Sequence, residues 1–275
     1  KVNNTLNFLT KTSSIVRDNS LGKIIAITGS CGKTSLKELI GGTLNKFCRA
    51  TYSSKSFNNK FGVPLSLFNL NPKHDFGVFE VGMDKKGEID TLTKIIKPDV
   101  GVITNISYAH AKNFKNLKQI ALAKSEIINN ITKGGSIVLN ADDRFYKFHQ
   151  KMALREKLKV YSFSINKKNT TVRLNSIKKE KSKFKIIINI NNQKKHFFIS
   201  YNFENNLKNL LAAITVISIF KDIKTLNKNI FYNYQIPHGR GDISKIKIKK
   251  KNIFLIDESY NSNPLSLKSS INNFD

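Results

Sequence analysis

Residues 23–35 read Lys23-Ile24-Ile25-Ala26-Ile27-Thr28-Gly29-Ser30-Cys31-Gly32-Lys33-Thr34-Ser35. The apolar run 24–27 predicts a buried strand. It breaks at Gly29, and a helical pattern resumes at Ser35 with Leu36, Leu39 and Ile40 on one face. A strand, a glycine-containing turn and a helix in that order make an anion cradle. Free backbone N–H groups of the turn and the first helical turn converge on one spot, and the helix dipole adds partial positive charge there. Lys33 brings a full charge for β- and γ-phosphates, and the Thr34 hydroxyl is suited to Mg²⁺. Where the standard phosphate loop has its outer glycine, this chain has Ile27. The shorter Gly-x-x-Gly-Lys-Thr is weighed against a plain turn with a solvated lysine, and the flanking strand and helix favour a nucleotide site.

The rest of the composition sets limits. A length of 275 residues allows one large domain or two ordinary ones. No apolar run approaches the roughly 20 residues that span a membrane. No apolar signal-peptide core is visible near residue 1, and two cysteines, Cys31 and Cys48, make no disulfide framework, so a cytoplasmic protein is expected. The formal charge of +28 alone suggests a polyanion partner. Of the 47 basic residues only six are Arg, at 17, 49, 144, 155, 173 and 240, and the lysines are spread along the chain with Asn and Ile. Nucleic-acid readers cluster basic residues and use Arg heavily, so no specific nucleic-acid partner is expected.

Along the chain, residues 1–20 predict an amphipathic helix through Val2, Leu6, Leu9, Ile15 and Val16. The polar loop 51–64 follows the phosphate-loop helix and leads to an apolar helix over 65–70. It is a natural substrate contact, with a solvated connection as the alternative. Residues 76–82 predict a second buried strand. Glu80 stands in an apolar run and needs a partner; a carboxylate at a strand end beside a phosphate loop is where Mg²⁺ is commonly held. A third strand over 99–105 is followed by His110, which reads either as a ligand or as an ordinary satisfied histidine. A helix is predicted over 116–131 and a fourth strand over 136–140. Strand–helix alternation of this kind implies a parallel sheet with ligands at the strands' carboxyl ends. From 160 to 200 the period changes to two, with a hairpin over 184–200. A helix over 205–221, a turn at 238–242, strands over 243–248 and 253–256 and a new helix from 265 complete the pattern.

These motifs resemble the Mur ligase family. The residues that carry the likeness are the phosphate loop from Thr28 to Thr34, Asn58-Asn59 with Gly62-Val63-Pro64, and Glu80-Val81-Gly82 with Gly87-Glu88-Ile89. Further along they are Thr104-Asn105 with His110, Ala123-Lys124-Ser125-Glu126-Ile127, Asn140-Ala141-Asp142-Asp143, Gly239-Arg240-Gly241 and the run from Asp257 to Pro264. The resemblance implies a P-loop-containing α/β ATPase domain with a mostly parallel sheet flanked by helices, plus a small β-rich part and the start of a Rossmann-like domain. The division it implies is 1–20, the last helix of an upstream substrate domain; 21–236, the central ATPase domain; and 237–275, the start of a C-terminal ligase domain. Because the chain begins with Lys, a fragment is expected.

By the same resemblance, ATP and Mg²⁺ are the cofactors. The loop residues Thr28, Gly29, Ser30, Cys31, Gly32, Lys33, Thr34 and Ser35 would cradle the phosphates. Thr34 and Glu80 would hold one Mg²⁺ and His110 a second. Asn140 would lie near adenine, Arg240 would reach the γ-phosphate, Asp257 or Glu258 would hold the ribose with Asn261 nearby, and Asn58 and Asn59 would meet substrate. The lysine corresponding to Lys124 can be carbamylated in the family, which turns a cation into a metal-supporting anion; a plain lysine on phosphate is the alternative. The Ser-Tyr-Asn-x-Asn-Pro run at 259–264 points to the branch joining D-alanyl-D-alanine to UDP-N-acetylmuramoyl-tripeptide through an acyl phosphate, in a monomeric enzyme. Another amino-acid ligase of the family, folylpolyglutamate synthetase or a nucleotide-binding fragment without turnover are the other readings. Two departures are the run Phe203-Glu204-Asn205-Asn206, where the family has Gly-x-His-Asn, and Lys60 in place of an acidic or polar residue.

Overall fold

A computed structural model describes residues 1–108, 113–181, 183–200, 206–248, 251–260, 267 and 271. In chain order the elements are α1 (Thr5–Asp18), β1 (Lys23–Thr28), α2 (Lys33–Leu44), β2 (Ala50–Tyr52), α3 (Gly62–Leu67), β3 (Phe76–Glu80) and α4 (Glu88–Ile96). There follow β4 (Val100–Ile103), α5 (Leu117–Ser125), β5 (Ser136–Asn140), α6 (Tyr146–Arg155) and β6 (Lys159–Ser164). The last are β7 (Val172–Glu180), β8 (Lys183–Ile190), β9 (Gln193–Ile199), α7 (Leu207–Phe220), β10 (Asp242–Ile248) and β11 (Lys251–Asp257).

Nine strands form one sheet in the order β2-β3-β1-β4-β5-β6-β7-β8-β9. Pairing is parallel from β2 through β7 and antiparallel from β7 to β9. The β-rich stretch at 160–200 is therefore an extension of the main sheet. Among the described residues, β10 and β11 stand apart as an antiparallel pair. The order reverses around β1, which sits between β3 and β4, so the loop after β1 opens where strand succession changes direction.

The continuous apolar run of β1 is explained by cover on both faces. Ile25 and Ile27 join Leu36, Leu39 and Ile40 of α2 and Leu210, Leu211 and Ile214 of α7 on one side. Ile24 and Ala26 join Val63 and Leu67 of α3, Ile89 and Ile96 of α4 and Ile120 of α5 on the other. Alternating side chains serve two cores, which removes the polar positions a half-exposed strand would show.

Several local expectations shift. In α1, Ile15 is 60% exposed and Ser13 and Arg17 are the buried residues. Arg17 donates from Nε to Ile96 O at 2.6 Å and from Nη2 to Lys97 O at 2.8 Å, satisfying carbonyls at the end of α4. Burial pulls its pKa down from the ordinary value, against support from Asp99 and Asp18. The helix expected over 65–70 begins earlier, at Gly62, because Pro64 sits in the first turn, where its missing N–H costs nothing. The helix expected over 116–131 ends at Ser125 and tightens into a 3₁₀ segment, Glu126–Asn130. There the Glu126 carboxylate accepts from Gly87 N at 2.8 Å and Asp90 N at 3.1 Å, capping α4, whose N-cap Gly87 has no side chain to do so.

Candidate functional site

The loop after β1 is held in shape by the segment after β4. Ser30 N donates to Asn105 O at 2.9 Å, and Cys31 N donates to Asn105 Oδ1 at 3.1 Å. Cys31 O accepts from Thr104 Oγ1 at 2.7 Å, and Ser30 Oγ and Ser107 exchange bonds at 2.9 and 3.0 Å. Gly29, at φ +147°, lies so close to Thr104 that a Cβ would fall 1.9 Å from Oγ1. Gly32, at φ +81°, would place a Cβ 2.7 Å from Asn209 Oδ1 on α7. Both glycines are thus required by backbone angle and by close neighbours. Lys33 folds back over the loop, with Nζ donating to Gly29 O at 3.0 Å.

Behind the loop, Thr34 in the first turn of α2 donates to Glu80 Oε2 at 2.6 Å. Glu80 ends β3, opposite Ile27 of β1, and is 1% exposed. Its other oxygen accepts from Asn58 Nδ2 at 2.7 Å. The partner that a buried carboxylate requires is therefore a neutral hydroxyl–amide pair. The oxygens of Thr34 and Glu80 are hard donors that suit Mg²⁺. Among the described residues no group of three or more His, Cys, Asp and Glu is placed to hold a metal ion. Thr28 Oγ1, at the end of β1, is buried without a hydrogen-bond partner, a polar atom left over beside the cradle.

Lys124, in the last turn of α5, is 1% exposed. Its pKa is held well below the ordinary value, first by burial and then by the nearby Lys33 charge, with Cys31 and Glu80 opposing. One turn earlier, Ala121 O contacts His149 Nε2 at 3.1 Å. Burial lowers the His149 pKa, and because a carbonyl oxygen only accepts, Nε2 is the donor in this contact.

The remaining expected residues fall as follows. Asn140 ends β5, buried, with Nδ2 donating to Thr104 O at 3.1 Å and Oδ1 accepting from Asp142 N at 3.0 Å. Asn59 accepts from Phe61 N and Gly62 N, at 3.1 and 2.9 Å, in the turn that opens α3. Ser35 is buried, and its carbonyl accepts from Tyr234 Oη at 2.8 Å. Arg240 donates to Ser56 Oγ at 3.1 Å and stacks 4.1 Å from the centre of the Tyr260 ring. Asp257 accepts from Ser259 N at 2.9 Å, and Glu258 lies beside Gly241. His110 and Asn261 lie outside the described residues.

Four contributors were not anticipated. Lys37 is fully buried and donates to Ser53 O and, at 2.6 Å, to Lys55 O, with Glu38 at 2.8 Å. It pins the loop that carries Ser53, Ser56 and Asn58; Ser53 Oγ in turn accepts from Glu80 N at 3.3 Å. Ser53, Ser56 and Asn209, whose Nδ2 donates to Asn206 Oδ1 at 3.1 Å, are the others. The Asn-x-x-Asn spacing at the start of a helix that meets the phosphate loop is the signal that would have found Asn209. Lys37 is hidden among many lysines.

A glycine-bearing turn between strand and helix, a lysine and a threonine at its exit and a carboxylate on the neighbouring strand define a P-loop-type nucleotide-binding α/β domain. A family model described as the Mur ligase middle domain matches residues 27–217. The chain belongs to the Mur ligase family. It is 34% identical over 268 residues to the UDP-N-acetylmuramoyl-tripeptide–D-alanyl-D-alanine ligase of Buchnera aphidicola subsp. Baizongia pistaciae, covering 97% of this chain and 56% of that protein. To the ligase of the same name from Rickettsia prowazekii it is 33% identical over 276 residues, covering 98% and 59%. A crystal structure of MurF from Acinetobacter baumannii superposes with a TM-score of 0.87 at 26% identity, over 98% of this chain and 58% of that one. The chain thus spans less than three fifths of the length of each of these relatives.

Proposed function

We propose that this chain is the nucleotide-handling part of an ATP-dependent ligase that joins D-alanyl-D-alanine to UDP-N-acetylmuramoyl-tripeptide in peptidoglycan precursor synthesis. The observation that carries the reading is the Thr34–Glu80 bond at 2.6 Å behind Lys33 and the glycine turn. The printed names of the relatives support the substrate pair. The division into 1–20, 21–236 and 237–275 is part of the proposal, and β10 and β11 pairing outside the main sheet supports its last boundary. So is a cytoplasmic monomer; among the described residues no helix is long and apolar enough to cross a membrane.

In this reading the tripeptide's terminal carboxylate attacks the γ-phosphorus of ATP, giving an acyl phosphate and ADP. The dipeptide amine then adds to the acyl carbon and gives up one proton, and the tetrahedral intermediate collapses to an amide with loss of phosphate. Both steps spread negative charge, so fixed cations and N–H donors carry the catalysis. Lys33 and the loop N–H groups hold the phosphates. Thr34 and Glu80 would hold Mg²⁺, with His110 assigned to a second ion; the metal neutralises charge on the phosphate oxygens when bound. Arg240 would move from Ser56 to the γ-phosphate.

Lys124 would act as a carbamate. A desolvated lysine beside Lys33 favours the neutral amine, whose nitrogen lone pair would attack the carbon of CO₂, one C=O π bond opening and one N–H proton leaving as the N–C bond forms. The product anion is accommodated where a second ammonium would be repelled.

The test is phosphate release from ATP by the full-length protein, which is expected to require both substrates together. Full release with neither present would defeat the ligase reading. In the same assay Glu80→Gln, which keeps the shape and loses the charge, is expected to lower turnover about 10²-fold.

A further inference from the structure

The lysines, spread along the chain, gather in space on one face of the sheet. In β7, β8 and β9 one set of alternating side chains, among them Ile177, Ile186, Ile188 and Phe197, joins Leu210 and Ile214 of α7 in a core. The other set joins neither core. The register lays that second set out in rows. Lys178, Lys185 and Phe198 lie side by side across the three strands, and two residues along so do Ser176, Ile187 and His196. Beyond them Arg173 and Lys194 flank Asn189, and at the opposite end Glu180 faces Lys183. Lys228 comes in from the free edge of β9. Its carbonyl accepts from Phe198 N at 2.8 Å, and its Nζ lies 5.8 Å from the centre of the Phe198 ring, which Lys183 Nζ approaches to 3.6 Å.

Six cations, Arg173, Lys178, Lys183, Lys185, Lys194 and Lys228, thus share this face with one described carboxylate, Glu180. The ion pairs formed among the described residues lie elsewhere. Lys178 directly opposite Lys185 is a repulsive pair that costs the sheet stability. The crowding reaches His196, whose pKa is pushed down by burial and then by Lys185, Lys228 and Lys195, with Glu180 opposing. An anion laid across the rows would relieve this repulsion. The face offers no platform for stacking bases, because its one phenyl ring, Phe198, is only 7% exposed. Its half-buried Ile187 is not among the exposed large apolar side chains, so nothing on the face is built to insert into hydrocarbon. What remains is a sheet of point charges, suited to a plane of phosphates that asks for no sequence and no groove.

We propose that the face of β7, β8 and β9 carrying Lys178, Lys183, Lys185 and Lys228 docks on the anionic phospholipid headgroups of a bilayer surface. The surface is independent of the ligase reading, since β4, β5 and β6 stand between β1 with its phosphate loop and β7.

Flotation of the full-length protein with vesicles tests this. Binding is expected to an equal mixture of phosphatidylcholine and phosphatidylglycerol and not to phosphatidylcholine alone, and it should weaken as salt is raised. Lys178→Gln combined with Lys185→Gln is expected to lower the partition coefficient about 10- to 30-fold. Its urea midpoint should be no lower than the parent's, because a repulsive pair is removed. Lys194→Gln combined with Lys228→Gln, two exposed positions, should give a loss of similar size. Lys147→Gln combined with Lys151→Gln removes the same charge from α6 and is expected to change the partition by less than about twofold, since charges far from the contact are screened. Phosphate release with both substrates should be the same in all three variants. Equal losses in the sheet-face and α6 variants would make binding a matter of net charge and overturn the surface. So would a parent that does not float with the anionic vesicles, or one that a single-stranded oligonucleotide strips from them at equal phosphate concentration. A parent that floats as expected yet releases phosphate without either substrate would defeat the ligase reading and leave the docking surface standing.

Discussion

Replacing Lys124 with methionine is expected to lower substrate-dependent phosphate release at least about 10²-fold, while raising stability at neutral pH in bicarbonate-free buffer. The two effects have one cause. Lys124 is buried beside Lys33, and its pKa lies well below the ordinary lysine value. The unfolded chain keeps that proton up to about pH 10.4. Between the lowered folded value and the ordinary one, the unfolded state binds more protons, so stability rises with pH through that window. Below the folded value the penalty for burying the ammonium is fully present. Methionine fills similar volume without charge, so the variant's stability should no longer climb there. Urea unfolding at a series of pH values reads the slope directly. Labelled bicarbonate followed by ¹³C NMR should give a carbamate signal in the parent that Lys124→Met lacks. A parent with no such signal and a Lys124→Met protein with full turnover would leave Lys124 a packing residue.

Lys37→Met is expected to be among the most destabilising single changes in the domain, at about 2–4 kcal/mol. The estimate comes from the two carbonyls, Ser53 O and Lys55 O, that would lose their donor inside the protein. Glu38 adds little, because it is partly exposed and can turn to water. The urea midpoint should fall with the slope unchanged. Because the loop 53–58 also positions Ser56 and Asn58, the affinity for ADP with Mg²⁺ should weaken as well. A midpoint shift with unaltered nucleotide binding would separate the loop from the site.

Lys37 also marks where the sequence stops being legible. The parallel strands could be read because cover on both faces makes their centres continuously apolar, as in 24–27 and 137–139. Glu80 could be read because a lone carboxylate in such a run demands a partner. The edge strand Ala50–Tyr52 is three residues long and has no period to detect. The cap that Glu126 places on α4 joins residues 36 and 39 positions apart, and spacing carries no trace of it. Burial of Arg17 and Lys37 depends on which carbonyls lie across the fold, a tertiary fact that local composition reverses. Ser56 becomes informative only once Thr34 and Arg240 are seen on either side of it.

Arg17 changes how the first helix behaves mechanically. A helix that buries as few side chains as α1, only Ser13 and Arg17, ordinarily opens locally and exchanges its amide protons independently of the core. Here the last turn of α1 cannot open without stripping the guanidinium from Ile96 O and Lys97 O, so its amides should exchange at the pace of the sheet. Those two carbonyls lie at the turn that leads into the foot of β4. The far end of that strand leads to Thr104 and Asn105, which clamp the phosphate loop, so a continuous run of hydrogen bonds and strand joins the last turn of α1 to the nucleotide cradle.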